Sequence, residues 1–290
     1  MKLSIIIPVY NEADVVENVI ADLKKELAGL NLETYEIIAV NDCSTDATPE
    51  KLKQIPEIKI INQPYNKGNG AALKTGARTA SFDWLLFFDA DGQHKPEYIK
   101  EMLKHMDTFD LVSGERVGYQ GPAMRQPGKK LIHWLARYLL GAKIKDFNCG
   151  LRLIKKDQFL RFAHLYPDGF SCSTTTIFAF LKEKLNIKFI PVEVNKRQGG
   201  KSMVKPKEAV RYFMLIMRLI MLFSPLKIFL PISTLLCGLA ILIFVLDLLF
   251  IPGFHDTTIG LLIFSSIMIF FSGLIADQIA ALRREIGDKK

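Results

Sequence analysis

The chain has 290 residues, and 49% of them are apolar, enough for a sizeable core; their uneven spread points to a soluble part followed by a membrane part, with two buried core helices as the blander reading. Its four cysteines, Cys43, Cys149, Cys172 and Cys237, show no paired spacing, which points away from a disulfide scaffold or a cysteine zinc site and predicts reduced, structural thiols. The net charge of +8 is distributed in blocks rather than evenly, and the N-terminus, an apolar run ending in Pro8, lacks the pattern of a secretory signal.

In chain order, Leu3–Val9 is apolar and β-branched and predicts a strand. Ala13–Leu27 has helical periodicity and stops at Gly29; Tyr35–Val40 predicts a second strand and Thr48–Gln54 a short helix. Ile58–Ile61, a helix Gly70–Ala80 and a strand Trp84–Phe88 continue the alternation. Repeated βαβ units predict an α/β fold with a mostly parallel sheet, helices on both faces and ligands beyond the carboxyl ends of the strands. Past residue 110 the signals loosen: Gly114–Lys130 reads as a mobile loop, Leu131–Leu140 as a helix and Phe189–Val194 as a last strand. Lys207–Phe223 is very apolar, with Lys207, Arg211 and Arg218 on one stripe, the pattern of a helix lying in a membrane interface. Ile228–Phe250 and Ile259–Ala281 contain no Lys or Arg, and about 23 residues of helix, roughly 35 Å, cross a bilayer. Lys227, Arg283, Arg284, Lys289 and Lys290 flank the pair while the connecting loop has no Lys or Arg, so both termini are expected at the cytoplasmic face of the plasma membrane. The expected organisation is a cytosolic catalytic domain over 1–206, an interfacial helix over 207–225 and a transmembrane hairpin with a short tail over 226–290.

Three predicted strand ends carry polar loops: Pro8–Glu12, Asn41–Asp46 and Asp89–His94. One such loop is an ordinary turn or cap; three on one sheet edge are hard to explain that way. Asp89 and Asp91 emerge from a bulky apolar strand, and with Gln93 two residues on they offer hard oxygen donors suited to Mg²⁺ or Mn²⁺ carrying a diphosphate. A bare Asp-x-Asp is a weak signal, and a phosphoryl-transfer enzyme uses the same device. Residues 1–110 carry 12 Lys and Arg against 18 Asp and Glu, and residues 111–225 carry 21 against 7. An acidic half beside a basic half predicts two anionic substrates, one metal-bound and one lipid-borne; a basic surface that merely touches anionic lipid accounts for the charge equally well.

The motifs Pro8-Val-Tyr10-Asn11-Glu12, Asn41-Asp42-Cys-Ser-Thr-Asp46, Asn66-Lys67-Gly68-Asn-Gly70 and Asp89-Ala-Asp91-Gly-Gln93-His94 resemble those of family 2 glycosyltransferases, of GT-A fold. Asp146-Phe-Asn-Cys149-Gly150-Leu-Arg152, Arg197-Gln-Gly-Gly200-Lys201-Ser202 and the paired C-terminal spans are similar to the dolichol-phosphate mannosyltransferase and bactoprenol glucosyltransferase branch. The resemblance implies inverting transfer of a sugar from a UDP- or GDP-linked donor to undecaprenyl or dolichyl phosphate. It assigns Pro8, Tyr10, Glu12, Asp42, Lys67, Arg197 and Lys201 to the nucleotide-sugar, with Asp89 serving both ribose and metal, and Asp91 and Gln93 completing the Mg²⁺ or Mn²⁺ set. Asp89, Asp91, Gln93 and Asp146 are the implied catalytic residues, and Arg116, Arg125, Lys129 and His133 the implied grip on the acceptor phosphate. The chain departs from the family by Asn41 where relatives read Asp, and by Gly200-Lys201-Ser202-Met203 where they read Gly-x-Ser-Lys, so that Lys201 or Lys205 substitutes there.

No His or Ser constellation is required, because a phosphate monoester has a second pKa near 6 and is already an anionic nucleophile. His94, His105 and His164 accordingly read as structural or surface residues. The expected partners are the donor, the lipid phosphate, the membrane and, left open, a second copy of the chain; nucleic acid is not expected. A processive polysaccharide synthase is the rival enzyme, although both tryptophans, Trp84 and Trp134, lack the Gln-x-x-Arg-Trp context. A non-catalytic membrane scaffold is the rival of a different class.

Overall fold

The structure is a computed structural model that describes residues 1–118, 133–134, 137–138, 141, 144, 146–169, 172–195, 207–250 and 256–285. It forms two compact units, Met1–Arg211 and Tyr212–Lys290.

The first unit is built on a seven-stranded sheet. In chain order its elements are β1 (Lys2–Val9), α1 (Val16–Ala28), β2 (Thr34–Asn41), α2 (Thr48–Gln54), β3 (Lys59–Asn62), α3 (Asn69–Thr79) and β4 (Trp84–Phe87). There follow α4 (Tyr98–Leu103), β5 (Leu111–Arg116), β6 (Arg152–Lys155), α5 (Lys156–Arg161), α6 (Cys172–Lys182) and β7 (Ile187–Val192). The spatial order is β3-β2-β1-β4-β6-β5-β7, parallel throughout except for β6, which runs antiparallel to both β4 and β5.

The apolar runs of β1, β2 and β4 are buried on both faces, as parallel strands under helices must be. Ile5, Ile7, Ile37, Leu86 and Leu153 pack with Val16, Ile20 and Leu23 of α1 in one core. On the other face α3 comes so close that a Cβ on Gly76 would meet the Ile6 side chain; only glycine fits there.

Two boundaries differ from expectation for local reasons. The first helix begins at Val16 rather than Ala13, because the Val15 and Val16 amides first close a turn onto the Glu12 carbonyl. Gly114, Glu115 and Arg116 belong to β5 rather than to a loop, since β5 pairs with β7 through Arg116 and Gly114 sits against Cys149 and Val192. Gly118 closes the described part of that segment, and residues 119–130 lie outside the described residues.

The second unit holds most of α7 (Lys207–Phe223), then α8 (Leu226–Phe250) and α9 (Asp256–Glu285). Along α7, Leu215, Leu219, Leu222 and Phe223 are buried, and Met214, Met217, Arg218 and Met221 are exposed. Leu226–Leu249 and Asp256–Arg283 have mean hydropathies of 2.6 and 2.4 and are long enough to cross a membrane.

Candidate active site

The loops at the carboxyl edge of β1 and β2 are knitted together by their own polar side chains. Asn11 takes a positive φ of 54°; its amide donates to Ser44 Oγ at 3.0 Å, and its Oδ1 accepts the Thr45 amide at 2.8 Å. The Glu12 amide donates to Thr48 Oγ1 at 3.0 Å and the Ala13 amide to Asp46 Oδ2 at 3.2 Å. Asn and Asp tolerate such backbone and satisfy neighbouring amides, which is why they recur in these loops. Pro8 sits on β1, Tyr10 is exposed above it and Glu12 is buried.

Asp42 is buried, and both its carboxylate oxygens are engaged: Oδ1 accepts the Lys67 amide at 2.8 Å and Oδ2 the Gly68 amide at 2.7 Å. It therefore shapes the loop entering α3, where Gly68 has φ 101° and a Cβ would approach the Asp168 carbonyl to 2.7 Å. A carboxylate has further lone pairs to offer, so this structural duty leaves it able to accept from a ligand as well. The Lys67 ammonium lies 5.1 Å over the Tyr65 ring.

Asp89 lies two residues beyond β4, and its carboxylate lies against Gly150, where a Cβ would overlap it. Burial alone would raise its pKa, but the nearby His94 and the charges of Arg116 and Arg152 hold it below the usual carboxylate range. Asp91 Oδ1 accepts the Gln93 amide at 3.1 Å, and Gly92 between them takes φ 72°. The Gln93 carbonyl accepts the Asn195 amide at 2.9 Å and His94 bridges to Val194, so the loop is pinned at its far end by the continuation of β7.

Of the structural and surface roles expected for His94, the structure shows the structural one. It is buried, with Nε2 3.6 Å from Asp89 Oδ2 and its ring edge-on to Phe88. Its place in the loop that begins at Asp89 was the available signal, and periodicity does not read such a contact. His105 instead lies in the turn after α4, beside Glu101.

Arg116, at the end of β5, is not presented alone to an acceptor. Its Nε donates to Asp146 Oδ2 at 2.6 Å and its Nη2 to Asp146 Oδ1 at 2.9 Å, a bidentate pair with both side chains largely buried. Burial pushes the Asp146 carboxyl up, but its bonds to Arg116 and to the Asn148 amide outweigh this and hold it low. Asp146 is thus a poor proton acceptor and a strong anchor for a guanidinium.

Arg152, which closes the Asp146–Arg152 motif but received no role from the sequence, ties this corner together. It is fully buried, and its three nitrogens donate to the carbonyls of Cys149 at 2.9 Å, Ser173 at 2.6 Å and Phe147 at 2.7 Å. It thereby fixes the strand of backbone carrying Asp146, Asn148 and Gly150. A cleft lined by Asn69, Asp89, Asn148, Gly169 and Ser173 opens beside it.

His133 packs its ring edge-on against Phe147, next to Asp146. Arg125, Lys129, Arg197 and Lys201 lie outside the described residues. The structure brings Asp89 together with His94 and, through Gly150 and Arg152, with the Arg116–Asp146 pair. Among the described residues no group of three or more His, Cys, Asp or Glu forms a metal cage. Two carboxylates and an amide, one carboxylate held ionised, instead suit a hard divalent ion that completes its shell with ligand and water oxygens.

Residues 4–183 match "Glycosyl transferase family 2", and residues 224–282 match "GtrB C-terminal hairpin". Among curated relatives, the chain is 29% identical over 230 residues to a dolichol-phosphate mannosyltransferase of Pyrococcus furiosus, covering 76% of this chain and 64% of that one. It is 25% identical over 216 residues to an undecaprenyl-phosphate mannosyltransferase of Micrococcus luteus, covering 70% and 87%. Several other relatives are matched over about half of their own length. Among solved structures, glucosyl-3-phosphoglycerate synthase from Mycobacterium tuberculosis, in complex with Mn²⁺, uridine diphosphate and glucosyl-3-phosphoglycerate, superposes with a TM-score of 0.59 at 18% identity, covering 76% of this chain and 78% of that one. That likeness is one of fold: the GT-A arrangement of a mostly parallel sheet ending in carboxylate loops.

Proposed function

Because the chain belongs to glycosyl transferase family 2, we propose that it transfers a sugar from a nucleotide-sugar to a polyprenyl phosphate at the cytoplasmic face of a membrane. The observation that carries this reading is the union, on one corner of the sheet, of the Asp89–Asp91 carboxylates with the Arg116–Asp146 pair, in a chain that ends in two membrane-length apolar helices. The similarity to a dolichol-phosphate mannosyltransferase and an undecaprenyl-phosphate mannosyltransferase supports the same reading.

On this reading Pro8, Tyr10, Glu12, Asp42 and Lys67 receive the nucleoside and its phosphates, with Arg197 and Lys201 contributing from the following segment. Asp89, Asp91 and Gln93 would hold Mg²⁺ or Mn²⁺, which when bound neutralises charge on the departing diphosphate. An oxygen of the lipid phosphate attacks the anomeric carbon, the bond from that carbon to the diphosphate oxygen breaks, and the diphosphate leaves with the electron pair, inverting the configuration. No proton need be removed from the nucleophile. Asp146 serves by orienting Arg116 toward the incoming phosphate, and Arg125, Lys129 and His133 share that anion. His94 holds the Asp89 carboxylate in place. The hairpin formed by α8 and α9 spans the membrane with both chain ends cytoplasmic.

The test compares Asp91→Ala and Arg116→Ala with the full chain in detergent, using a panel of UDP- and GDP-sugars and a short prenyl phosphate. Asp91→Ala is expected to abolish metal-dependent turnover, and Arg116→Ala to lower kcat or raise the KM for prenyl phosphate while leaving donor affinity near wild type. Unchanged metal-dependent turnover in Asp91→Ala, or loss of donor affinity alone in Arg116→Ala, would overturn the assignment.

A further inference from the structure

Beside the carboxylate loop, the sheet and two helices leave a cleft whose lining divides by chemistry. Leu73 of α3 and Phe87 of β4 are apolar and buried. Asn69, Asp89, Asn148 and Ser173 line the same cleft and keep part of their surface accessible. Among the described residues of the lining, Asp89 carries the one charge, and none is basic. Apolar walls with amide, hydroxyl and carboxylate groups where water still reaches them match a sugar ring, which has carbon–hydrogen faces and an edge of hydroxyls.

Asn148 is held more firmly than a half-buried amide needs to be. Its main-chain amide donates to Asp146 Oδ1 at 3.0 Å, and the carbonyls on either side of it, of Phe147 and Cys149, accept from Arg152 at 2.7 and 2.9 Å. Its side-chain Oδ1 accepts the hydroxyl of Thr174, a buried residue, at 2.7 Å. With the oxygen so engaged, the carboxamide offers its NH2 group, which among the described residues has no acceptor. Ser173 is placed by the same clasp: its carbonyl accepts from Arg152 at 2.6 Å, and its hydroxyl is left for the cleft. Donors whose orientation is fixed in advance lose little freedom when a ligand arrives, which is what a group that reads a ligand requires.

We propose that Asn148 and Ser173, with Asn69 from α3, read the hydroxyls of the transferred sugar, and that this sugar is uncharged. The proposal rests on the nucleotide-sugar reading above and narrows its substrate. Asp89 belongs both to this cleft and to the carboxylate loop that receives the diphosphate, so a ring joined to that diphosphate enters here. The Arg116–Asp146 pair that receives the acceptor's phosphate stands two residues along the chain from Asn148. A sugar with a carboxylate of its own would set it against the Asp89 carboxylate, with no basic group in the lining to pair it. Uronic acids are thereby excluded, and the hydroxyl pattern decides among neutral sugars.

The full chain in detergent is assayed with a short prenyl phosphate and with UDP- and GDP-linked glucose, galactose and mannose. The best of these donors is then compared with its monodeoxy analogues and with the matching uronic acid. The uronate is expected to lose at least about 100-fold in kcat/KM, and removal of the hydroxyl met by Asn148 or Ser173 to cost about tenfold. Asn148→Ala and Ser173→Ala are each expected to lose about tenfold with the parent donor and nothing further with the analogue that lacks the matched hydroxyl. Affinity for the nucleoside diphosphate alone, read by calorimetry, is expected to stay near wild type in both. A variant that merely loosened the site would lose the same factor on every analogue, so the pattern separates reading from support. If Asn148→Ala, which leaves the Thr174 hydroxyl without its acceptor, does not fold, Ser173→Ala carries the test, because Arg152 holds its carbonyl and not its hydroxyl. Equal losses on all analogues, or a uronate used as well as its neutral parent, overturn the proposal and leave glycosyl transfer standing. No turnover with any donor defeats both readings.

Discussion

Arg152 has no water to hydrate its charge, and three main-chain carbonyls take water's place. Burial draws its pKa down, but the carboxylates of Asp146 and Asp89 nearby favour the charged form. Replacing it by Met removes the donors and leaves three buried carbonyls unsatisfied, so Arg152→Met is expected to destabilise the catalytic unit by about 3–5 kcal/mol. Arg152→Lys keeps the charge but not the fork, and a single ammonium cannot span the three carbonyls on Cys149, Phe147 and Ser173. That variant is expected to stay folded with impaired turnover, because Asn148 and Gly150 lose their fixed place under Asp89. Thermal unfolding beside kcat separates the two outcomes; a lysine variant with wild-type turnover would show that the corner does not need the fork.

Between elements, close approach is arranged by small residues. A Cβ on Gly70 would clash with the Pro167 carbonyl and with Cys172, which is how α3 comes to lie against the loop before α6, with Lys74 also bonded to Asp168 and to the Tyr166 carbonyl. In the second unit the device is repeated at heptad spacing. Ser233, Ala240 and Asp247 of α8, and Ile259, Ser266, Gly273 and Ala280 of α9, are buried or small and recur every seven residues, the spacing of a close-packed helix seam. Ser266 Oγ donates to the Ser233 carbonyl at 2.9 Å, and a Cβ on Gly273 would come within 2.5 Å of Phe229. In a Cys237→Ser background, Ser233→Cys with Ser266→Cys is therefore expected to cross-link rapidly on mild oxidation. Adding Gly273→Leu is expected to push the helices apart and suppress the cross-link. Equal cross-linking with and without the leucine, read on a non-reducing gel, would remove the close-packing argument.

At the scale of the molecule, the charge blocks fall on different duties. The acidic first 110 residues build the sheet edge that offers Asp42, Asp89 and Asp91, whereas the basic middle supplies Arg116 and Arg152. The first unit has its own core, so a chain ending after Ser224 is expected to fold and to bind nucleotide-sugar with near wild-type affinity. Without α8 and α9 it is expected to lose most turnover on membrane-embedded prenyl phosphate, since acceptor and enzyme are no longer confined to one surface. Calorimetry with donor and a vesicle assay check the two halves; full turnover of the truncated chain on embedded acceptor would deny the hairpin its role.

The sequence by itself determined the strands β1, β2 and β4, the carboxylate loops at their ends and the two long apolar helices, because each is written in neighbouring residues: a bulky apolar run, a cluster of Asp and Asn, some two dozen residues with no Lys or Arg. Motif resemblance added the family. Only the tertiary structure decided that β6 enters the sheet antiparallel between β4 and β5, for four residues, Arg152–Lys155, carry no sign of direction. It also decided that Arg116 is locked to Asp146 across 30 positions of sequence, that Arg152 is a buried clasp and that His94 turns inward to Asp89. A charged residue reads the same in sequence whether it faces water or three carbonyls. What it does depends on which distant backbone the fold places against it.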